Sequence, residues 1–372
     1  MSITRDDLLQ AKRALSLRYL RRPPDAPPVP PSAWAPAFRV AAARALAAVN
    51  VHAVGIGQKE VGGKPVKQRC VRFYVIQKLP ESLLDPASLL PHEVEGIPTD
   101  VIESPPAFVT PATRARARRP VGARGARGAG GARRAPDDCT EHRRSRRRPL
   151  VAGISTAHHE VTAGTLSCFC RSRRPGDPSD QVYVLSNNHV FADVNRGQPG
   201  DALYQPGPVD GGAAADRIAD LRRFVPIKLG GAEANRVDGA IGALVRGVEF
   251  ENAVCTIGAT ARATRAREGD RVRKHGRTTG LTEGVVTDES YDARVGMDHA
   301  NPGVFALFEN QMRIQRASDS PAFGLGGDSG SLVVAKEGGA AVGLYFAGPG
   351  DGSYGVANQF EDVLRELEIE LL

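Results

Sequence analysis

The sequence is poor in aromatic residues and in cysteine, and it has no long apolar stretch. Phe, Trp and Tyr make up 5% of its 372 residues, a globular but skewed composition. No stretch of 18 or more apolar residues occurs, which predicts no membrane-spanning helix and no membrane partner. The five cysteines, Cys70, Cys139, Cys168, Cys170 and Cys255, are odd in number and sparse, unlike a secreted disulfide framework. Met1 to Leu20 scatters acids and bases where a signal peptide would carry an apolar centre, so a cytoplasmic location is expected.

What is abundant is glycine (41), proline (27) and, locally, arginine. Residues 111–149 hold 13 arginines against Asp137, Asp138 and Glu141, a net +10. The rest of the chain therefore carries −3 of the overall +7, and the basicity belongs to one segment. That segment lacks interleaved aromatics. It reads as a solvated linker first, and second as a contact for nucleic acid or another acidic partner.

Punctuation along the chain divides it into four stretches. Residues 1–36 are a helix with apolar positions Leu8, Leu9, Ala11, Leu15 and Leu20, then a proline-rich lead. Residues 37–104 read as a small α+β domain: a helix over Phe38–Val49, strands over Val51–Ile56, Cys70–Ile76 and Glu95–Ile102, and a short helix over Pro86–Leu90. Residues 105–149 have no apolar periodicity and are predicted to be disordered. Residues 150–372 show many short apolar stretches punctuated by Gly, Pro and Asp. This pattern points to an all-β barrel or sandwich, closed by a helix over Ala357–Leu371.

Three motifs in this last stretch carry chemistry: Leu185-Ser186-Asn187-Asn188-His189-Val190, Val237-Asp238-Gly239-Ala240-Ile241 and Gly327-Asp328-Ser329-Gly330-Ser331. A serine hydroxyl is a poor nucleophile at neutral pH until an imidazole takes its proton and a carboxylate orients that imidazole. The glycines around Asp328-Ser329 allow a tight turn in which the N–H groups of Gly327 and Ser329 point at one oxyanion. Each motif alone has a plainer reading: a turn, a loop histidine, a turn aspartate with Asp193 and Asp216 as competitors.

Taken together and in order, with 49 residues from His189 to Asp238 and 91 from Asp238 to Ser329, the motifs resemble the chymotrypsin/trypsin-like serine proteases. Gly276 to Gly284 is similar to the turn opening the second barrel in bacterial members, and Gly343 to Gly348 to the strand lining the substrate cleft. Asn187-Asn188-His189, the Gln205-Pro206-Gly207-Pro208 loop and the N-terminal domain resemble, more narrowly, bacterial relatives of the plant narrow-leaf trypsin-like proteins. The resemblance implies a double antiparallel β-barrel with a C-terminal helix. It also implies an endopeptidase with a polypeptide substrate and no metal or cofactor, in which Ser329 attacks, His189 is the base and Asp238 the orienter. It places Phe323 at the floor of the specificity pocket and Phe346, Ala347 and Gly348 along its wall; none is acidic, so a preference for Arg or Lys is not expected.

Departures accompany the likeness. Asn187 and Asn188 stand where the family has small residues, and Val190 stands where secreted members carry a disulfide cysteine, which fits a reducing compartment. Pro149 follows Arg148 where an activating cut would fall, so Asp328 is expected to be satisfied internally rather than by a freed N-terminus. A protease-fold scaffold that binds partners, or cuts only itself, is the alternative function. A zinc site from Cys139, His142, Cys168 and Cys170 is the weaker alternative to small buried thiols.

Overall fold

The computed structural model describes residues 3–21, 50–84, 89–112, 139–298 and 303–372. The expected helix at 38–49 and the proline-rich lead lie outside them. So do residues 85–88 and the middle of the arginine segment.

Two sheets dominate. In one, six strands close a ring: Arg271–Gly276, Gly280–Gly296, Phe305–Arg316, Tyr354–Gln359, Ala341–Ala347 and Leu332–Ala335, every neighbour antiparallel. Closure removes the unpaired strand edges that an open sheet would expose. The other sheet runs Ile369–Leu371, Cys168–Ser172, Tyr183–Ser186, Ala240–Leu244, Arg217–Phe224, Ala202–Tyr204, Ser155–His158, Gly164–Thr165. The fold is thus an all-β double barrel with a C-terminal helix, as expected.

Sequence periodicity accounts for the strands. Along Gly280–Ser290 buried and half-exposed residues alternate, as for a strand with one wet face. From Ser290 on every residue is buried, because further chain covers both sides of the strand.

Part of that cover is the N-terminal region. A two-residue turn at Gly62 and Gly63, both at positive φ, joins Val51–Val61 to Lys64–Val75. These strands are longer than the sequence predicts, and Ile97–Glu103 adds in parallel. Ala53 and Val54 pair with Ala293 and Asp292, so this region continues the second barrel's sheet. The first helix, Arg5–Tyr19, starts from a capping box between Thr4 and Asp7 and buries Leu8, Ala11 and Leu15 against the hairpin. Its buried Lys12 and Ser16 both bond the carboxylate of Asp292, at 2.5 and 2.6 Å.

Three expectations are corrected. The C-terminal helix is short, Phe360–Glu366. Glu368 takes a left-handed φ of 51°, and Ile369–Leu371 becomes a strand on Cys168–Ser172. Residues 105–112 and 139–149 of the predicted linker are ordered. Ala107–Phe108 pairs in parallel with Val295–Gly296, and Cys139 is joined to Cys255 by a disulfide. That bond excludes Cys139 from a zinc site. Cys168 and Cys170 are buried thiols in a strand, and no metal-ligating cluster occurs among the described residues.

Several arginines of this segment also hold protein groups. Arg143 and Arg144 both donate to the carbonyl oxygens of Arg277 and Thr278. Arg148 donates to Gln205, and Arg146 pairs with Asp216. These guanidiniums are engaged within the chain, and nothing in the described residues supports a nucleic-acid contact.

Candidate functional site

Strand pairing brings two of the three expected groups together. Ser186 pairs with Ala240 on antiparallel neighbours. His189 lies just past the end of one strand, in a helical turn over Asn188–Phe191, and Asp238 lies just before the start of the other. The His189 Nδ1 and Asp238 Oδ2 are 2.5 Å apart, and the His189 N–H donates to Asp238 Oδ1 at 3.2 Å. Asp238 is fully buried and His189 is 11% exposed. With Nδ1 facing a carboxylate, Nε2 carries the lone pair. It has no hydrogen-bond partner among the described residues.

The asparagines that looked out of place serve this arrangement. Asn187 Nδ2 donates to the Asp238 carbonyl at 2.7 Å, and the Asp238 N–H donates to Asn358 Oδ1 at 3.1 Å. Asn188 donates to Val225 O and Asn195 Oδ1, both at 2.8 Å, pinning the loop after the helical turn. Asn358 gave no signal in the sequence, because its partner lies 120 residues away. The competitors are elsewhere occupied: Asp193 pairs with Arg196, and Asp216 with Arg146.

Ser329 sits at the seam of the two barrels. Its carbonyl accepts from Thr165 N at 2.7 Å, and Gly330 N donates to Tyr345 O. Gly327 and Gly330 have φ of 93° and 94°; a Cβ on Gly330 would collide with Ser186 and Thr165, so glycine is required there. The N–H groups of Gly327 and Ser329 have no acceptor among the described residues. The Ser329 hydroxyl donates to Phe346 O at 3.2 Å rather than to His189. Ser329 and His189 line one cleft of about 480 Å³.

Asp328 is wholly buried and internally satisfied. It accepts from the N–H groups of Thr278 (2.7 Å), Thr279 (3.1 Å) and Leu325 (2.9 Å) and from Thr279 Oγ1 (2.8 Å). Lys274 Nζ lies 3.5 Å away and is also fully buried. Burial alone would raise the Asp328 carboxyl; Lys274 and these hydrogen bonds outweigh it and hold the group below the ordinary carboxylate range.

The expected pocket residues separate. Ala347 and Gly348 line a small cavity of about 30 Å³ beside Ser329, with Leu325, Gly326 and Pro349. Phe346 turns its ring into the core against Phe308 and offers the cleft only its carbonyl. Phe323 does not line that cavity. Its ring packs in the second barrel beside Tyr345, and both rings flank the Lys274 ammonium at 5.6 and 5.5 Å. The buried Lys274 draws it inward, a pull that position relative to Ser329 did not reveal.

No protein-family model and no curated protein matches the sequence. Among solved structures the chain is similar to Protease A of Thermobifida fusca, with 15% identity, 60% of this chain, 98% of that one and a TM-score of 0.42. It is likewise similar to a glutamic acid specific serine protease (17%, 60%, 100%, 0.42) and to a chymotrypsin of Cellulomonas bogoriensis (16%, 60%, 98%, 0.40).

Proposed function

We propose that the chain is a serine endopeptidase acting on extended polypeptides. The observation that carries the reading is the short bond between His189 Nδ1 and the buried Asp238, at the rim of a cleft that Ser329 shares. In this reading the Ser329 hydroxyl turns from Phe346 O to His189 Nε2, which takes its proton as Oγ attacks the substrate carbonyl. The N–H groups of Gly327 and Ser329 receive the oxyanion. His189 then passes the proton to the leaving amine, and water hydrolyses the acyl-enzyme by the same route in reverse. Asp238 holds the imidazole and offsets its transient charge.

The narrower likeness to bacterial relatives of the plant narrow-leaf proteins rests on the Asn187-Asn188-His189 wording, the 205–208 loop and the N-terminal domain. An intracellular setting fits the absence of a cysteine at Val190; the Cys139–Cys255 bond favours an oxidising one. A scaffold that binds without cutting is the second reading, favoured by the hydroxyl's bond to Phe346 O.

Labelling by a fluorophosphonate probe separates the two. Wild-type protein should label and hydrolyse peptides, and Ser329→Ala should do neither. Equal labelling of both proteins would remove Ser329 as the nucleophile.

A further inference from the structure

The chain's own residues 107–112 run through the cleft. Phe108 N–H donates to Gly348 O at 3.0 Å, and Gly348 N–H donates back to Phe108 O at 3.2 Å. This reciprocal pair is an antiparallel bridge, the way an extended peptide adds itself to a sheet edge. Gly348 follows directly on the strand Ala341–Ala347, whose Phe346 carbonyl receives the Ser329 hydroxyl. On its other side the segment is held by Val295–Gly296, with Val109 N–H donating to Gly296 O at 2.9 Å.

Two residues beyond the bridge, Thr110 lines both cavities that Ser329 lines. The segment then passes the glycine turn at contact distance. Thr110 O lies 3.1 Å from where a Cβ on Gly326 would stand, and the Ala112 methyl 2.9 Å from one on Gly327. The small cavity beside Ser329 has no charged residue in its lining, and Thr110 forms part of its wall. Pro111 follows, so the next peptide nitrogen carries no hydrogen and sits in a ring.

We infer that residues 107–112 act as a built-in substrate mimic. They occupy the peptide groove and shield Ser329, and Thr110 marks a preference for small uncharged side chains in the adjoining pocket. The inference rests on the endopeptidase reading. A competing polypeptide must displace this strap, so full activity requires its release.

The test compares full-length wild type with Phe108→Pro, which removes the N–H given to Gly348, and Thr110→Arg, which puts a long cation against an uncharged cavity of about 30 Å³. Neither residue belongs to the proposed catalytic set, and thermal unfolding checks that both variants are folded. Loss of about one main-chain hydrogen bond predicts fluorophosphonate labelling roughly fivefold to tenfold faster in Phe108→Pro, and Thr110→Arg, which cannot seat its cation in the uncharged cavity, should also label faster than wild type. A peptide of residues 105–112 added to Thr110→Arg should slow it again. Amide exchange in the wild type should show Phe108 and Gly348 protected. Equal labelling rates in all three proteins would overturn the strap while leaving the endopeptidase standing. Absence of labelling in every form would remove both.

Discussion

Replacing Lys274 with methionine isolates the cation buried beside Asp328, next to the proposed nucleophile. Lys274 Nζ and Asp328 Oδ2 are 3.5 Å apart, with neither side chain exposed. At an effective dielectric near 20 that separation gives an attraction of about 5 kcal/mol, much of it offset by desolvation. Removing one partner of a buried pair costs about 3–5 kcal/mol. Asp328 keeps its four hydrogen-bond donors. The lower end therefore applies, and Lys274→Met should lose about 3 kcal/mol in urea unfolding at pH 7. Asp328 contributes stability that is present above its unfolded pKa and lost as pH falls through its depressed folded value. Without the ammonium that loss begins at higher pH. Asp328→Asn removes the charge left stranded, so Lys274→Met with Asp328→Asn should be more stable than the two single losses added together by about 1.5 kcal/mol. Additivity within about 0.5 kcal/mol would refute a charge coupling between them.

Two further outcomes are expected. Asn187→Ala removes the donor to the Asp238 carbonyl, and kcat should fall roughly tenfold to a hundredfold with KM little changed; unchanged kcat would show that Asn187 only packs. His275 is driven down to about 4, chiefly by burial and further by Lys274 and Arg143. The unfolded chain therefore takes up a proton near pH 6.5 that the folded one refuses. Stability should fall by about 3 kcal/mol as pH drops from 6.5 to 4 on this account. His275→Asn keeps a donor toward Gly153 O and should flatten that slope in denaturant midpoints measured across the range; an unchanged slope would place its origin elsewhere.

Much of the barrel region was legible because its signals are local. The turn glycines 327 and 330 do adopt positive φ, and the two motifs carrying His189 and Asp238 meet because each abuts one of two paired strands. Internal satisfaction of Asp328 was expected, but its agent was not, since Lys274 lies 54 residues before Asp328 and carries no motif that marks it. Phe323 was assigned by its offset from Ser329, and an offset cannot register a cation on the inner face. The largest gap lay in residues 105–149. Absence of apolar periodicity measures what a segment can bury by itself. It is blind to order imposed by a disulfide, by guanidiniums on carbonyl oxygens, or by pairing to a distant strand, and those forces hold residues 105–112 and 139–149.

The pairing of Ala53 and Val54 with Ala293 and Asp292 welds the amino-terminal hairpin to the very strand that, three positions later, grips the strap. A chain begun at residue 150 would bare a run of unmatched amides and carbonyls along that strand and strip the carboxylate of Asp292 of its lysine. The same few residues of that strand thus stand between the amino-terminal hairpin and the segment lying in the cleft.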